Sequence, residues 1–441
     1  MSIFKSCDIR GVYGKDLTDE IAFKLGRAVG SFIKGKKICV AYDSREVSRK
    51  FFKRFTKGLI ASGSEVISLG MLPNPILYFY AWKKKMFGCI ITASHNPKEW
   101  TGLKLVKPDG TSFVEEIKKI KKIFEEEKFT EGKGKLRRRK DAIAFYKNFL
   151  KKKFKKMKGK VVVECFGGVG VLFLKILKEF GLEVIGLHAK LDPNFYGLKR
   201  LEPKGRNLSL LKRRVKEEKA DFGAAFDADG DRAVFVDDRG RELSGSEMNY
   251  IFIQDILERK KGKIILTVDC ASELEDLVRK LGGKLIWWRI GHGFIEKKIK
   301  EERALFAGEQ SSHFYFNEFY PFSDGTLAIL YLARILSKKR EKLSELVKKI
   351  KLKPVERIYL KAGNDEKKIK VIEKIKSEFP RCIRLMDGIK IKLNPEEWVL
   401  IRASQNMPEI NICAEAKNKK RLREIIKKYS RLVRRKLKEI S

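Results

Sequence analysis

The chain has 441 residues, material for about three domains with separate cores, and its 43% hydrophobic content fits a globular protein. No apolar run approaches the ~20 residues needed to cross a bilayer and no leader precedes Cys7, so the expectation is a soluble, cytoplasmic protein without a membrane partner. Ninety-nine Lys and Arg against 57 Asp and Glu leave +42, a balance that favours anionic partners without choosing among phosphorylated metabolites, nucleic acid and lipid.

The basic residues spread over segments such as 118–128, 151–160 and 417–438, with no aromatic-interleaved motif, so nucleic acid is not the expected partner. The seven cysteines are odd in number, lack a Cys-x-x-Cys pair and mostly sit beside Val or Ile. They read as reduced core residues.

Near the start, Cys7-Asp8-Ile9-Arg10-Gly11 places Arg10 in a Gly-rich turn, where it suits either a bidentate phosphate contact or plain solvation. Beyond it one pattern recurs three times. Residues 37–43, 160–165 and 263–269 each read as a basic entry, a buried strand and a polar or acidic exit. A helix, a glycine stop and a second strand follow at 63–67, 181–185 and 282–286, and a third strand closes each unit at 87–91, 221–226 and 304–307. Three βαβαβ units predict three similar doubly wound α/β domains.

A polar cluster follows each closing strand, at the edge where open α/β sheets hold ligands. The first is Thr92-Ala93-Ser94-His95-Asn96-Pro97, the second Asp227-Ala228-Asp229-Gly230-Asp231-Arg232, the third Gly308-Glu309-Gln310-Ser311-Ser312-His313. Ser94 is a candidate nucleophile without a Gly-x-Ser-x-Gly elbow, and equally suits a Ser/Asn/Pro turn. Asp227, Asp229 and Asp231 alternate so that three hard oxygens can share one face for Mg²⁺ or Ca²⁺, although an acidic turn capped by Arg232 also fits. An EF-hand is discounted, since Arg232 and Asp238 stand where its Gly and Glu belong. Glu309 and Ser311 suit sugar hydroxyls or a surface turn. His95, His292 and His313, three of only four histidines, fall in such clusters, and His292, between Gly291 and Gly293, is expected to be exposed.

From about 352 the texture changes to short strands at 356–361, 381–385, 389–393, 398–402 and 410–416, then a basic helix over 417–440. This predicts an α+β domain. Its loop Arg402-Ala403-Ser404-Gln405-Asn406-Met407-Pro408 suits a phosphate or an ordinary polar hairpin. A very basic helix over 140–160 is expected to connect the first two units. The predicted boundaries are 1–139, 140–241, 242–350 and 351–441.

The four clusters, in this order on this domain plan, resemble the α-D-phosphohexomutases over nearly the whole chain. Arg289-Ile290-Gly291-His292 and the Arg402-Ala403-Ser404 opening are most similar to the phosphomannomutase/phosphoglucomutase branch, whereas Glu309-Gln310-Ser311 resembles phosphoglucosamine mutases. The resemblance implies a four-domain isomerase with a central cleft that interconverts hexose 1-phosphate and hexose 6-phosphate. Ser94 would be a phosphoserine, with Mg²⁺ on Asp227, Asp229, Asp231 and a phosphoseryl oxygen, and a hexose 1,6-bisphosphate would be intermediate and activator. Arg402, Ser404, Gln405 and Asn406 would hold the distal phosphate, and Glu309 and Ser311 the hydroxyls. Arg10, Lys104 and Arg232 would line the reaction centre, His292 would be the general base and His95 a support. The implied partners are phosphorylated mannose or glucose, with glucosamine phosphate as alternative, for a monomer or homodimer. Thr101, Cys7, Ser312 and Gln405-Asn406-Met407 depart from the family pattern. Two other readings stand beside this one: a catalytically impaired relative that binds anionic polymers, and a metal-dependent phosphatase.

Overall fold

The computed structural model describes residues 3–198, 201–404 and 407–440. In the first unit, β1 (Ile9–Val12), β2 (Ile38–Tyr42), β3 (Glu65–Met71), β4 (Phe87–Ile91), β5 (Trp100–Val106) and β6 (Lys135–Arg138) form a sheet in the order β1-β5-β4-β2-β3-β6. In the second, β7 (Lys160–Glu164), β8 (Glu183–Leu187), β9 (Phe222–Phe226) and β10 (Ala233–Asp237) are ordered β10-β9-β7-β8. The third contains β11 (Lys263–Thr267), β12 (Lys284–Trp288), β13 (Phe306–Gly308) and β14 (Phe314–Phe316), ordered β12-β11-β13-β14. The shared plan is therefore a repeat, with the unit's first strand central and parallel to both the second and the closing strand.

The apolar strands predict this, because strands such as Val161-Val162-Val163 have helices on both faces and bury every side chain. The glycine stops work as expected, since Gly63, Gly181 and Gly282 all adopt positive φ where the chain leaves the helix. Each unit also carries an element absent from the sequence reading: an antiparallel return strand, β5, β10 or β14, paired with the closing strand. Thr101, Gly102 and Lys104 interrupt the apolar pattern of β5. Gly102 is needed there because a Cβ would lie 2.0 Å from the Ile9 carbonyl oxygen of β1.

The expected connector over 140–160 is helical only over Ala142–Lys151; beyond it Phe154 leaves the helix to stack on Phe319 at 5.3 Å. One continuous apolar core runs through the first three units, with Phe79 meeting Phe149 at 4.9 Å, Tyr146 at 5.5 Å and Tyr320 at 6.0 Å.

The fourth unit is α+β, with β15 (Val355–Lys361), β16 (Ile383–Leu385), β17 (Gly388–Asn394), β18 (Glu397–Ala403) and β19 (Glu409–Glu415) in an antiparallel sheet ordered β15-β19-β18-β17-β16. Helices Asp365–Glu378 and Lys419–Glu439 cover one face, the former an element that the sequence reading lacks. This unit has its own core and meets the third through a small cluster around Trp398, Leu400 and Cys413. Its other sheet face turns to the cleft. No helix among the described residues is long and apolar enough to cross a membrane.

Candidate active site

Ser94 stands in the turn between β4 and β5 with φ +49°, a left-handed conformation that costs a non-glycine residue of order 1–3 kcal/mol. Buried Arg45 holds the turn there. Its Nη2 donates to the carbonyls of Ser94 at 2.6 Å and Asn96 at 2.7 Å, while its Nη1 pairs with Asp43. Asp43 also accepts from Thr92 Oγ1 at 2.8 Å, and Thr92 Oγ1 accepts the Ser94 backbone N–H at 2.9 Å. Arg10, expected in a turn, instead lies buried on β1, where pairing with β5 makes the segment a strand, and adds a third support by donating to the Ala93 carbonyl at 3.1 Å and to Asn96 Oδ1 at 3.2 Å.

Ser94 Oγ donates to Asp227 Oδ2 at 2.8 Å, which joins the first cluster to the second. Asp227, Asp229 and Asp231 are buried, and each supplies a carboxylate oxygen to a group in which all lie within 4.8 Å of one another. Asp229 Oδ1 has no hydrogen-bond partner among the described residues, as expected of a donor set suited to a hard divalent cation. Lys104, brought in on β5, lies 2.7 Å from both Asp229 Oδ2 and Asp231 Oδ2, and Asn74 Nδ2 donates to Asp231 at 2.9 Å. Burial and its two acidic neighbours raise Asp227 to about 6. Burial pushes Asp231 the same way, but Lys104 and His313 outweigh it and hold that carboxyl well below the usual range.

Arg232 Nε donates to Asp227 at 2.9 Å and its Nη2 lies 3.3 Å from Ser94 Oγ. The same Nη2 faces His95 Nδ1. Burial and then Arg232 hold His95 well below its ordinary pKa, so the neutral ring accepts from Arg232 and steadies it.

The third cluster adjoins this centre, with His313 Nε2 at 3.4 Å from Asp231 Oδ1. Glu309 is fixed between the Tyr315 hydroxyl at 2.8 Å and Ser311 Oγ at 3.1 Å. His292 corrects its expectation. It begins the helix His292–Glu302, is half-buried, and encloses its Nε2 with no hydrogen-bond partner among the described residues. Burial and Lys104 lower it to about 3, so the ring is neutral.

From the fourth unit, Arg402, Ser404 and Met407 line the same cleft, which encloses about 530 Å³, while Gln405 and Asn406 lie outside the described residues. Arg402 Nε and Nη2 both donate to Asp387 Oδ2, at 3.1 and 2.6 Å. Thus Ser94, His95, the three aspartates, Arg232, Lys104 and Arg10 form one centre, and Glu309, Ser311, His292, Arg402 and Ser404 surround the adjoining cleft. Sequence reading missed Arg45, Asn74 and Asp387. Only Arg45 had a signal, two residues past the first repeat's acidic strand exit.

Three descriptions match the chain in series: phosphoglucomutase/phosphomannomutase, alpha/beta/alpha domain I over residues 1–131, domain II over 141–240 and domain III over 244–352. The phosphomannomutase of Methanocaldococcus jannaschii is 33% identical over 98% of this chain and 98% of its own length. A probable phosphoglucosamine mutase of Methanosarcina acetivorans is 32% identical over 99% and 100%. Among solved structures, a phosphoglucomutase/phosphomannomutase family protein from Burkholderia thailandensis superposes with a TM-score of 0.86 at 28% identity, covering 99% of this chain and 97% of that one.

Proposed function

Because the chain belongs to the phosphoglucomutase/phosphomannomutase family of α-D-phosphohexomutases, and is thus a phosphohexomutase and an isomerase, we propose that it interconverts the 1- and 6-phosphates of mannose, glucose or both through a phosphoserine at Ser94 and a hexose 1,6-bisphosphate. The observation that carries the reading is Ser94 Oγ at 2.8 Å from Asp227 inside a buried three-carboxylate cluster flanked by Lys104 and Arg232.

The donor set fits Mg²⁺: Asp227, Asp229 and Asp231 would hold it with an oxygen of phosphorylated Ser94, and the bound ion would neutralise charge on the phosphoryl group. Arg232, Arg10 and Lys104 supply fixed positive charge around that group, so the task is mainly positioning and electrostatics. As the bond from phosphorus to Ser94 Oγ breaks and one to a sugar hydroxyl forms, the imidazole of His292, which lines the cleft, accepts the hydroxyl proton. Burial and Lys104 lower its basicity, and the negative charge of a bound phosphate favours the protonated ring. Glu309 accepts from the sugar hydroxyls, and its contacts with Tyr315 and Ser311 fix its direction. Arg402 and Ser404, with Gln405 and Asn406, hold the distal phosphate; Asp387 orients the guanidinium through Nε and Nη2. Glucosamine phosphate is the alternative substrate, since relatives bearing either name are equally similar.

The test is phosphosite mapping of the purified protein, then assays of mannose, glucose and glucosamine phosphates with Mg²⁺ and a bisphosphate primer. Phosphate on Ser94 and isomerisation lost in Ser94→Ala are expected. Turnover of none of the three overturns the reading, and release of free phosphate without isomerisation makes the protein a phosphatase.

A further inference from the structure

Lys390 on β17 lies directly opposite Leu400 on β18, Leu400 opposite Cys413 on β19, and Cys413 opposite Arg357 on β15. Residues directly opposite in antiparallel strands share a face, so these four side chains form one row across the fourth sheet. Neighbours of the other parity, Ile389, Ile401 and Ile412, turn the opposite way into the core of that unit. A basic side chain stands at each end of the row, and the two reach consecutive residues of the third unit. Lys390 Nζ donates to the Val268 carbonyl at 2.7 Å, and Arg357 Nη2 donates to the Asp269 carboxylate. Val268 and Asp269 follow β11, the strand that lies between β12 and β13 in the third sheet. Those two flanking strands lead into His292 and Glu309 respectively. Arg402 occupies the same face of the fourth sheet one row further on, opposite Gly388.

Lys390 is held from both units at once. Its Nζ lies 3.9 Å from the Trp398 ring of its own unit and 5.6 Å from the Trp287 ring near the end of β12, and aromatic faces attract a cation so placed. Burial lowers the ammonium to about 8 against the pull of Glu415, so at neutral pH it is still charged. Leu400 and Cys413 in the same row show that this junction accepts apolar side chains. An enclosed charge where an apolar residue would fit adds little net stability, and its use is to fix one arrangement of the parts it joins. We propose that Lys390 is a positioning residue for the isomerisation: its grip on Val268 fixes the separation between Arg402, which holds the distal phosphate, and the side of the cleft formed by His292 and Glu309. This rests on the mutase reading. Among the described residues that line the cleft Arg357 is one and Lys390 is not, so Lys390 acts through the sheet and not on the ligand.

The test compares a ligand that must span both units with one too small to do so. On the full-length protein with Mg²⁺ and a bisphosphate primer, kcat/KM for glucose 1-phosphate and mannose 1-phosphate and the inhibition constant of inorganic phosphate are measured for the natural chain and Lys390→Met. Methionine keeps an apolar stem against the tryptophans and removes the charge and the donor; thermal midpoints control for folding. Because a misplacement of about 1 Å costs up to about a hundredfold, kcat/KM for the hexose phosphates should fall about tenfold or more. Inorganic phosphate, which sits on one side of the cleft at a time, should inhibit with a constant changed by less than about twofold. Lys390→Arg, which restores the charge and a donor, should regain most of the lost rate. Equal losses for both kinds of ligand would mean damage to the fourth unit and overturn the assignment, as would an unaltered kcat/KM. If the natural protein turns over hexose phosphates and either of these is found, only the role of Lys390 falls. If it turns over none of them, the mutase reading falls and takes this one with it. Lys390→Gln, too short to reach Val268, carries the comparison should the methionine variant melt early.

Discussion

Glu296 is a buried acid one turn after His292, and its Oε2 accepts the Ser112 backbone N–H at 2.7 Å from the first unit. Burial raises its carboxyl to about 8, against a smaller opposing pull from Ser112 and Lys104. Between the unfolded value near 4.5 and about 8 the folded protein holds a proton there that the unfolded chain releases, so stability falls as pH rises through that window. At about 1.4 kcal/mol per unit this approaches a few kcal/mol by pH 8. Glu296→Gln cannot ionise, so its thermal midpoint should exceed that of the natural protein most at pH 8 and by little at pH 5. A gain independent of pH in the melting curves removes the explanation. Glu296 was invisible in the sequence because a Glu in a Lys-rich helix looks solvated. Ser94 and Asp227 were legible for the opposite reason: polar side chains at the ends of apolar strands contradict their own pattern. What spacing could not reveal was pairing, such as Lys104 with Asp229 and Asp231, which depends on two domains meeting.

Strand and turn together decide where Ser94 points. The three parallel strands of each repeat were readable because burial on both faces demands continuous apolar runs. The return strands were not, because β5 carries Gly102 and Lys104 for the sake of β1 and the aspartates rather than for the core. Arg45 is the element's keystone, since among the described residues it alone bridges the exit of β2 to two carbonyls of the Ser94 turn. Arg45→Met keeps most of the side-chain volume but strands Asp43 as a buried carboxylate that retains only neutral donors. Losing one member of such a pair costs about 3–5 kcal/mol. A drop of several degrees in the thermal midpoint is expected, together with faster protease cleavage between residues 92 and 100. Unchanged cleavage kinetics there would show that Arg10 and Thr92 hold the turn without Arg45.

Across the whole molecule, the first three units share one core while the fourth is joined by a small apolar cluster and a few polar ties, such as Ser272 N–H to Glu415 Oε2 at 2.8 Å. The cleft between them is not where the surplus charge resides. Arg10, Lys104, Arg232 and Arg402 are met there by Asp8, Asp227, Asp229, Asp231 and Asp387, and Glu202, Glu242, Glu309 and Glu409 add to the lining, so the site holds no surplus of positive charge before phosphate enters. The excess of +42 sits outside, as on the last helix, whose exposed face carries Arg423, Lys427, Lys428, Arg431, Arg434 and Lys438. Charges so placed cannot touch a bound hexose phosphate, but their summed field attracts a dianion from solution. Screening over about 8–10 Å at physiological salt weakens such a field while leaving contacts within the cleft nearly intact. As ionic strength rises from about 0.01 to 0.15 M, kcat/KM for a hexose phosphate should therefore fall several-fold while kcat at saturating substrate holds. Reversing clusters on the last helix, as in Lys427→Glu with Arg431→Glu, should flatten that slope without changing kcat. A kcat/KM indifferent to salt in the natural protein would mean that the outer charge plays no part in capturing substrate.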